Sequence, residues 1–391
     1  MNIADTLRLS ESDRDTFVRD YWQQRPLLLR GALPGFVSPI SAEELAGLAL
    51  EPDVESRLIS GSGTGEWRLR HGPFVAQDFT TAPEHDWTLL VQDVEKHLPD
   101  LAFIVDAFDL VPAWRLDDLM VSYAVPGGSV GPHRDAYDVF LLQGTGLRRW
   151  QIDDRAEADH RNVDRGGVRQ LQAFQANREW ILEPGDVLYL PPGVPHHGVA
   201  LTPCMTYSVG MRAPALTDII TEALEEIDTM DGATSPLLRD HRRTPAQHPL
   251  EVDEDSRRNA RSQIRRLLRA DRVLDRALAR AVSRPKAGLP WPPDPPTSSD
   301  GLPLDDDAQL CRNPAVRASL LAPSSRDCGW LYVNGESIPL TTRAYRLARL
   351  LTSRRHVAVS ELVVETSHTD QQQLLEHLLR LGYWYRHERD D

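Results

Sequence analysis

Between Asp117 and Arg212 the chain is cut into short apolar runs by glycine and proline: LMVSYAV, YDVFLLQGTG, LRRWQI, EWILEPGDVLYLPPG and MTYSVGMR. Runs this short, with turn residues between them, predict strands and not helices, and their close spacing predicts a β-sandwich or barrel. Glu183-Pro-Gly-Asp186 predicts a turn between two of these strands. The flanks read differently. Leu7 to Trp22 predicts a helix, Pro26 to Arg30 a short buried strand, and Trp87 to His97 an amphipathic helix. Ser41, with Glu44 three residues later, predicts a capped helix start. The expected class is therefore α+β.

After Pro214 the strand pattern stops. Leu216 to Met230 predicts a helix. Ser256 to Lys286 carries 11 basic and 2 acidic residues, a net of +9, so the rest of a chain of net charge −14 carries −14 − 9 = −23. Ile264, Leu267, Leu268, Leu274, Leu278 and Val282 form a helical stripe beneath the arginines. The expectation is a packing face with a solvated basic face; an RNA-facing surface is the alternative. Residues 285–303 hold seven prolines and predict a stiff linker. Leu331 to Leu340 predicts a hairpin with Asn-Gly at its tip. With helices at Thr342–Ser353 and Thr369–Leu381 and the run Tyr383-Trp-Tyr, a winged-helix-like module is expected.

Composition narrows the classes. Hydrophobic residues make 41% and charged residues 26% of the 391, which excludes a disordered chain. Three cysteines without a CxxC pair exclude a disulfide scaffold and a thiolate zinc site, and predict a reducing compartment. The N-terminal segment has no apolar core of a secretory signal, and no run approaches the ~18 apolar residues of a membrane span. A soluble, cytoplasmic protein without a membrane role is expected. The acidic total argues against broad coating of nucleic acid.

The chemistry concentrates in Gly131-Pro-His-Arg-Asp135. On a strand, a His and an Asp two apart share a face. With one later His they supply three facial ligands and leave positions open, the 2-His-1-carboxylate arrangement of non-haem Fe(II) oxygenases. Pro191-Pro-Gly-Val-Pro-His196-His-Gly198 follows at a distance of 61 residues from Asp135 to His196. Strand alternation lets only one of His196 and His197 face inward, and the turn hides which. A chelating oxoacid would leave a distal carboxylate to be paired, and Arg148 and Arg149 in Gly144-Thr-Gly-Leu-Arg-Arg-Trp150 are candidates. A second triplet, His368-Thr-Asp370, precedes a helical pattern. Thr369 with Gln372 fits a capping box, so it reads as a helix start.

The segments WRLDDLMVSYAVPGGSVGPHRDAYDVFLLQGTGLRRW, LEPGDVLYLPPGVPHHG and YSVGMRAP closely resemble the bacterial ribosomal oxygenases, JmjC-type hydroxylases dependent on Fe(II) and 2-oxoglutarate. YWQQRPLLLRGAL and the segment from Trp87 also look like that family, and the match is continuous over about the first 212 residues. The resemblance implies a double-stranded β-helix (a JmjC/cupin-like barrel) at 1–212, a helical dimerisation region at 213–287, a linker at 288–303 and a winged-helix-like domain at 304–391. It implies that His133, Asp135 and His196 bind the iron and that Arg148 holds 2-oxoglutarate. His197 departs from the family, where an acid is common. The implied reaction couples decarboxylation of 2-oxoglutarate to hydroxylation of an unactivated carbon. Family members most like this chain hydroxylate an arginine β-carbon of large-subunit ribosomal protein sixteen; eukaryotic members act on histidines. An arginine substrate needs an acid and an apolar wall, for which Asp118, Met120, Tyr137 and Ser208 are the candidates, with Asp117 the competitor of Asp118. A homodimer and a ribosomal protein partner are expected. Two other readings are a cupin-like sensor with a winged-helix DNA reader and a barrel that has lost its metal. The first would need a basic recognition helix, yet Thr369–Leu381 holds a single arginine.

Overall fold

The computed structural model describes the chain except residues 1–6, 8, 64, 156–160, 231–236, 241–247, 249, 287–308, 325–327, 366–367 and 388–391. The proline-rich 288–303 segment lies outside the described residues. Two compact units divide the chain, Met1–Ala213 and Pro214–Asp391.

The first unit contains thirteen described strands: β1 Leu27–Leu29, β2 Ser56–Ser60, β3 Arg68–His71, β4 Trp87–Val91, β5 Leu116–Ala124, β6 Asp138–Thr145, β7 Arg148–Ile152, β8 Asn162–Arg165, β9 Val168–Leu171, β10 Arg178–Leu182, β11 Val187–Leu190, β12 His196–Ala200 and β13 Cys204–Met211. Eight form one sheet in the order β1-β11-β6-β13-β5-β4-β2-β3, and three form a smaller sheet in the order β10-β7-β12. Burial separates their roles. β11 and β13 are buried along their whole length and β6 all but its last residue, as expected of strands covered on both faces. β7 and β12 alternate buried and half-buried residues, so the smaller sheet turns one face inward and one toward solvent. Phe17 and Phe108, from outside the large sheet, belong to one apolar cluster with Phe140 of β6 and Tyr189 of β11. Val139, Leu141, Leu188 and Leu190 pack with Trp150, Ile152 and Leu182 of the smaller sheet and close the space between the two.

The N-terminal helix is α1, Glu11–Asp20, capped by Ser10 with Asp13 answering at the third helical position. It starts after Leu7 because that capping box fixes the first turn. The next, α2 (Ala42–Leu48), carries the Ser41–Glu44 capping box that the sequence predicts. The segment from Trp87 to His97 is a correction: Trp87–Val91 is a fully buried strand, and only the Val94–His97 turn is helical. Its continuous apolar run WTLLV has the length of a buried strand, and tertiary pairing with β2 and β5 decides the outcome.

In the second unit, Leu216–Met230 is helical as predicted, but the basic region is two helices, Glu254–Leu268 and Asp271–Ser283. The stripe predicted under the arginines splits accordingly. Val282 is buried and Leu268 packs on Ala223, Val273 and Ala277, whereas Ile264, Leu267, Leu274 and Leu278 are exposed. The predicted hairpin is present as Gly329–Val333 and Glu336–Leu340, with Asn334 and Gly335 in left-handed conformations at its tip. The helix after His368 runs Thr369–Arg380. Its N-cap is His368 and no side chain caps it, so the Thr369–Gln372 capping box is not formed; the Asp370 carboxylate instead accepts from Thr341 Oγ1.

Candidate active site

His133 lies in the connection between β5 and β6, not in a regular strand, which corrects the strand expectation for the HxD triplet. A single antiparallel bridge holds it: His133 N donates to His196 O at 2.9 Å, and His196 N donates to His133 O at 2.8 Å. The segment thereby continues the smaller sheet beyond β12. Gly131, at φ +78°, makes the turn that enters it; a Cβ there would stand 2.2 Å from Gln170 Nε2. The same glycine's carbonyl lies 2.9 Å from His133 Nδ1, and the Val194 carbonyl lies 2.9 Å from His196 Nδ1. A carbonyl only accepts, so both rings carry their proton on Nδ1 and keep the Nε2 lone pair. Those lone pairs converge with Asp135: its carboxylate oxygens lie 3.9 Å from His133 Nε2 and 3.5 Å from His196 Nε2. One ligand atom from each of the three residues falls within 4.8 Å of the others. Burial, reinforced by His133, pulls His196 down to about 4 against the opposing pull of Asp135. The imidazole is neutral at neutral pH, as a metal ligand must be.

His196 is buried as the first residue of β12, and His197 points to the opposite face, its ring edge-on to Phe174. Strand alternation thus resolves the pair. It resolves the arginines too. Arg148 begins β7 and is 4% exposed, with Nη1 3.3 Å from Ser122 Oγ and 3.3 Å from Thr206 Oγ1, while Arg149 takes the other face of the strand. The Arg148 guanidinium stands over the Trp150 ring at 5.1 Å. Trp150 fits because Gly198, its partner on β12, has no side chain; a Cβ there would sit 2.7 Å from the indole. Arg148 Nε has no acceptor, and among the described residues no carboxylate pairs with this guanidinium. Its burial holds its pKa below the ordinary value. A buried cation with two hydroxyls and an aromatic face beside it, but no carboxylate, is costly unless an anion joins it.

One cavity takes in all of these groups, and all eight sequence-predicted residues line it: His133, Asp135, His196, Arg148, Asp118, Met120, Tyr137 and Ser208. Its floor repeats every second residue. Asp118, Met120 and Ser122 of β5 oppose Gly210, Ser208 and Thr206 of β13. Asp118 is buried, whereas Tyr137 is 44% exposed and falls just before β6 begins, so its place on the ligand side comes from the connection and not from strand alternation. Sequence reasoning missed Ser122 and Thr206, which extending the alternation by two residues on either strand would have found. It also missed Thr88, Leu90 and Gln92, hidden by reading their segment as a helix.

A family model described as the JmjC domain matches residues 103–219. Another, the AraC-like ligand binding domain, matches 169–281; that span holds His196 but neither His133 nor Asp135. The chain is 36% identical to the ribosomal protein uL16 3-hydroxylase of Escherichia coli over 325 residues, 82% of this chain and 84% of that protein. It is 39% identical to a probable ribosomal oxygenase of Haemophilus influenzae over 207 residues, 53% of this chain and 51% of that one. Among solved structures it is similar to E. coli YcfD, with a TM-score of 0.84 and 33% identity over 98% of this chain and 99% of that one. It also matches the same ribosomal oxygenase in complex with cobalt and 2-oxoglutarate, with a TM-score of 0.78 and 32% identity over 98% and 99%.

Proposed function

The chain belongs to the JmjC-domain ribosomal oxygenases, and from that premise we propose that it is an Fe(II)- and 2-oxoglutarate-dependent hydroxylase of an arginine in a large-subunit ribosomal protein. The observation that carries the cofactor reading is the buried Arg148, with no carboxylate partner among the described residues, lining the same cavity as His133, Asp135 and His196. The residues fit the absent groups. Two neutral imidazoles and one carboxylate suit a ferrous ion and leave coordination positions open. A guanidinium with an unused Nε suits the distal carboxylate of 2-oxoglutarate. When bound, the metal and the oxoacid supply the oxygen chemistry. The chain's own work is positioning: Nδ1–H bonds to Gly131 and Val194 aim the two imidazoles, and Ser122 and Thr206 aim Arg148.

The substrate end of the cavity favours an arginine. Asp118 offers a carboxylate for the guanidinium, Met120 and Tyr137 an apolar wall for its methylene stem, and Ser208 a hydroxyl. A histidine target is the second reading. In a peptide carrying the target arginine, Asp118→Ala should lower hydroxylation by about tenfold or more, the cost of removing one partner of a buried charged pair. Iron and 2-oxoglutarate affinities, measured separately, should hold. Equal peptide turnover by Asp118→Ala and wild type removes Asp118 from the site, and faster turnover of a histidine peptide removes the arginine assignment.

Assembly as a homodimer is supported by the second unit. Helix Glu254–Leu268 has no buried residue, and Ile264, Leu267, Leu216, Ile220 and Leu224 are exposed apolar side chains on it and on Leu216–Met230. Such faces call for a partner. Light scattering at micromolar concentration should give twice the 44.0 kDa chain mass; a monomer rejects the assignment. The hairpin and helices after Gly329 support a winged-helix-like module. Among the described residues no helix is long and apolar enough to cross a membrane, and we place the protein in the cytoplasm with the ribosomal proteins it would modify.

A further inference from the structure

Three polar side chains lie in a row across the large sheet. Thr206 of β13 has Ser122 of β5 on one side and Gln143 of β6 on the other. Arg148, from the smaller sheet, donates through Nη1 to Ser122 Oγ and to Thr206 Oγ1, each at 3.3 Å. Thr206 Oγ1 in turn donates to Gln143 Oε1 at 3.2 Å, and Gln143 Nε2 donates to the Thr145 carbonyl at 2.8 Å. A carbonyl only accepts and a guanidinium only donates, so the direction of every bond in this chain is set from its two ends. The amide turns Nε2 to Thr145, which leaves Oε1 for the Thr206 proton and the Thr206 lone pairs for Arg148. Ser122 is set likewise, its own proton directed at the Thr206 carbonyl at 3.5 Å. A bulge breaks the register at this point. Thr206 opposes Gln143 and Met205 opposes Thr145, so Gly144 is the extra residue on β6, and a bulge re-aims the groups beside it. The main chain of Gln143 is held too: its N donates to Asp186 O at 3.0 Å, and its O accepts from Gly185 N at 2.9 Å. Burial, against the pull of Arg148 and Gln143, holds the Cys204 thiol above its ordinary value, so it stays uncharged and gives Arg148 no anion.

We propose that Gln143, fully buried on β6, is a positioning residue: it draws the Thr206 proton away from Arg148, so that the Thr206 oxygen holds the guanidinium in place for the distal carboxylate of 2-oxoglutarate. This rests on the assignment of Arg148 as the residue that pairs with that carboxylate. Without the amide, Thr206 would keep a buried donor with no acceptor, and its side chain could turn its proton or its methyl group toward Nη1. Either arrangement withdraws one of the two acceptors that hold Nη1. The loss falls on the end of the oxoacid that Arg148 meets, not on the end that chelates the metal.

The test compares two oxoacids by calorimetry on the full-length protein loaded with Mn(II) in place of Fe(II). One is 2-oxoglutarate; the other is 2-oxopentanoate, which keeps the chelating head and has a methyl group where the distal carboxylate would be. Gln143→Met should weaken 2-oxoglutarate about five- to tenfold and 2-oxopentanoate by less than about twofold. Because Gln143 acts through Thr206, the same substitution in a Thr206→Val background should change 2-oxoglutarate affinity by less than about twofold. If Gln143→Met does not fold, Gln143→Asn, whose shorter amide cannot span from Thr145 to Thr206, should give the same split between the two oxoacids. An unchanged 2-oxoglutarate affinity overturns the proposal. So does an equal loss for both oxoacids, which is what a general distortion of the barrel gives, and so does a full loss in the Thr206→Val background, which would mean that Gln143 acts independently of Thr206. An Arg148→Ala variant with unaltered 2-oxoglutarate affinity instead removes the underlying assignment, and the role of Gln143 falls with it.

Discussion

Replacing His133, Asp135 or His196 by alanine should each cost more than about a hundredfold in turnover, because even residues that only support a metal ligand typically cost 10–100-fold. His197→Ala should keep most of the activity. The contrast is set by one step along β12: His196 projects toward Asp135, 3.5 Å away, while His197 lies on the opposite face against Phe174. Iron content of the purified variants, measured beside their turnover, separates loss of metal from loss of fold. An inactive His197→Ala with an active His196→Ala would reverse the assignment.

Arg148→Ala should raise the 2-oxoglutarate requirement sharply while iron still binds. Truncating one member of a desolvated charge pair costs about 2–5 kcal/mol, or roughly tenfold to several-thousandfold in affinity. Arg148 is buried with Ser122 and Thr206 as its hydrogen-bond acceptors, so the oxoacid carboxylate would be its charge partner. Arg149→Ala, on the other face of β7, should leave the requirement near the wild-type value. Titration of 2-oxoglutarate into each variant at fixed iron and peptide reads the difference. A large effect at Arg149 and none at Arg148 would shift the register of the strand by one residue.

Much of this site was legible in the residues, for a physical reason. A facial metal triad needs particular side-chain chemistry in a close grouping, and Gly131-Pro-His-Arg-Asp135 with the later His-His pair displays it. What the pattern left open was orientation. His196 against His197 and Arg148 against Arg149 are separated only by which face of a strand is inward, and pairing across β7 and β12 decides that. The fold was misread where burial overrides periodicity: Trp87–Val91 is buried on every residue, so it shows no alternation to mark it as a strand. That error concealed Gln92, whose contact with Asp118 joins residues 26 positions apart. In the second unit, the break near Ala270 was hidden by a basic stripe that continues across it.

The central claim is that this chain couples 2-oxoglutarate consumption to hydroxylation of a ribosomal protein arginine. Intact-mass and fragment-ion analysis of the large-subunit homologue of uL16, incubated with the protein, Fe(II), 2-oxoglutarate and oxygen, tests it most directly. The expected result is a gain of one oxygen atom on a single arginine, with stoichiometric succinate, abolished in His133→Ala. Succinate formed without any mass gain, or the oxygen found on a histidine, would contradict it.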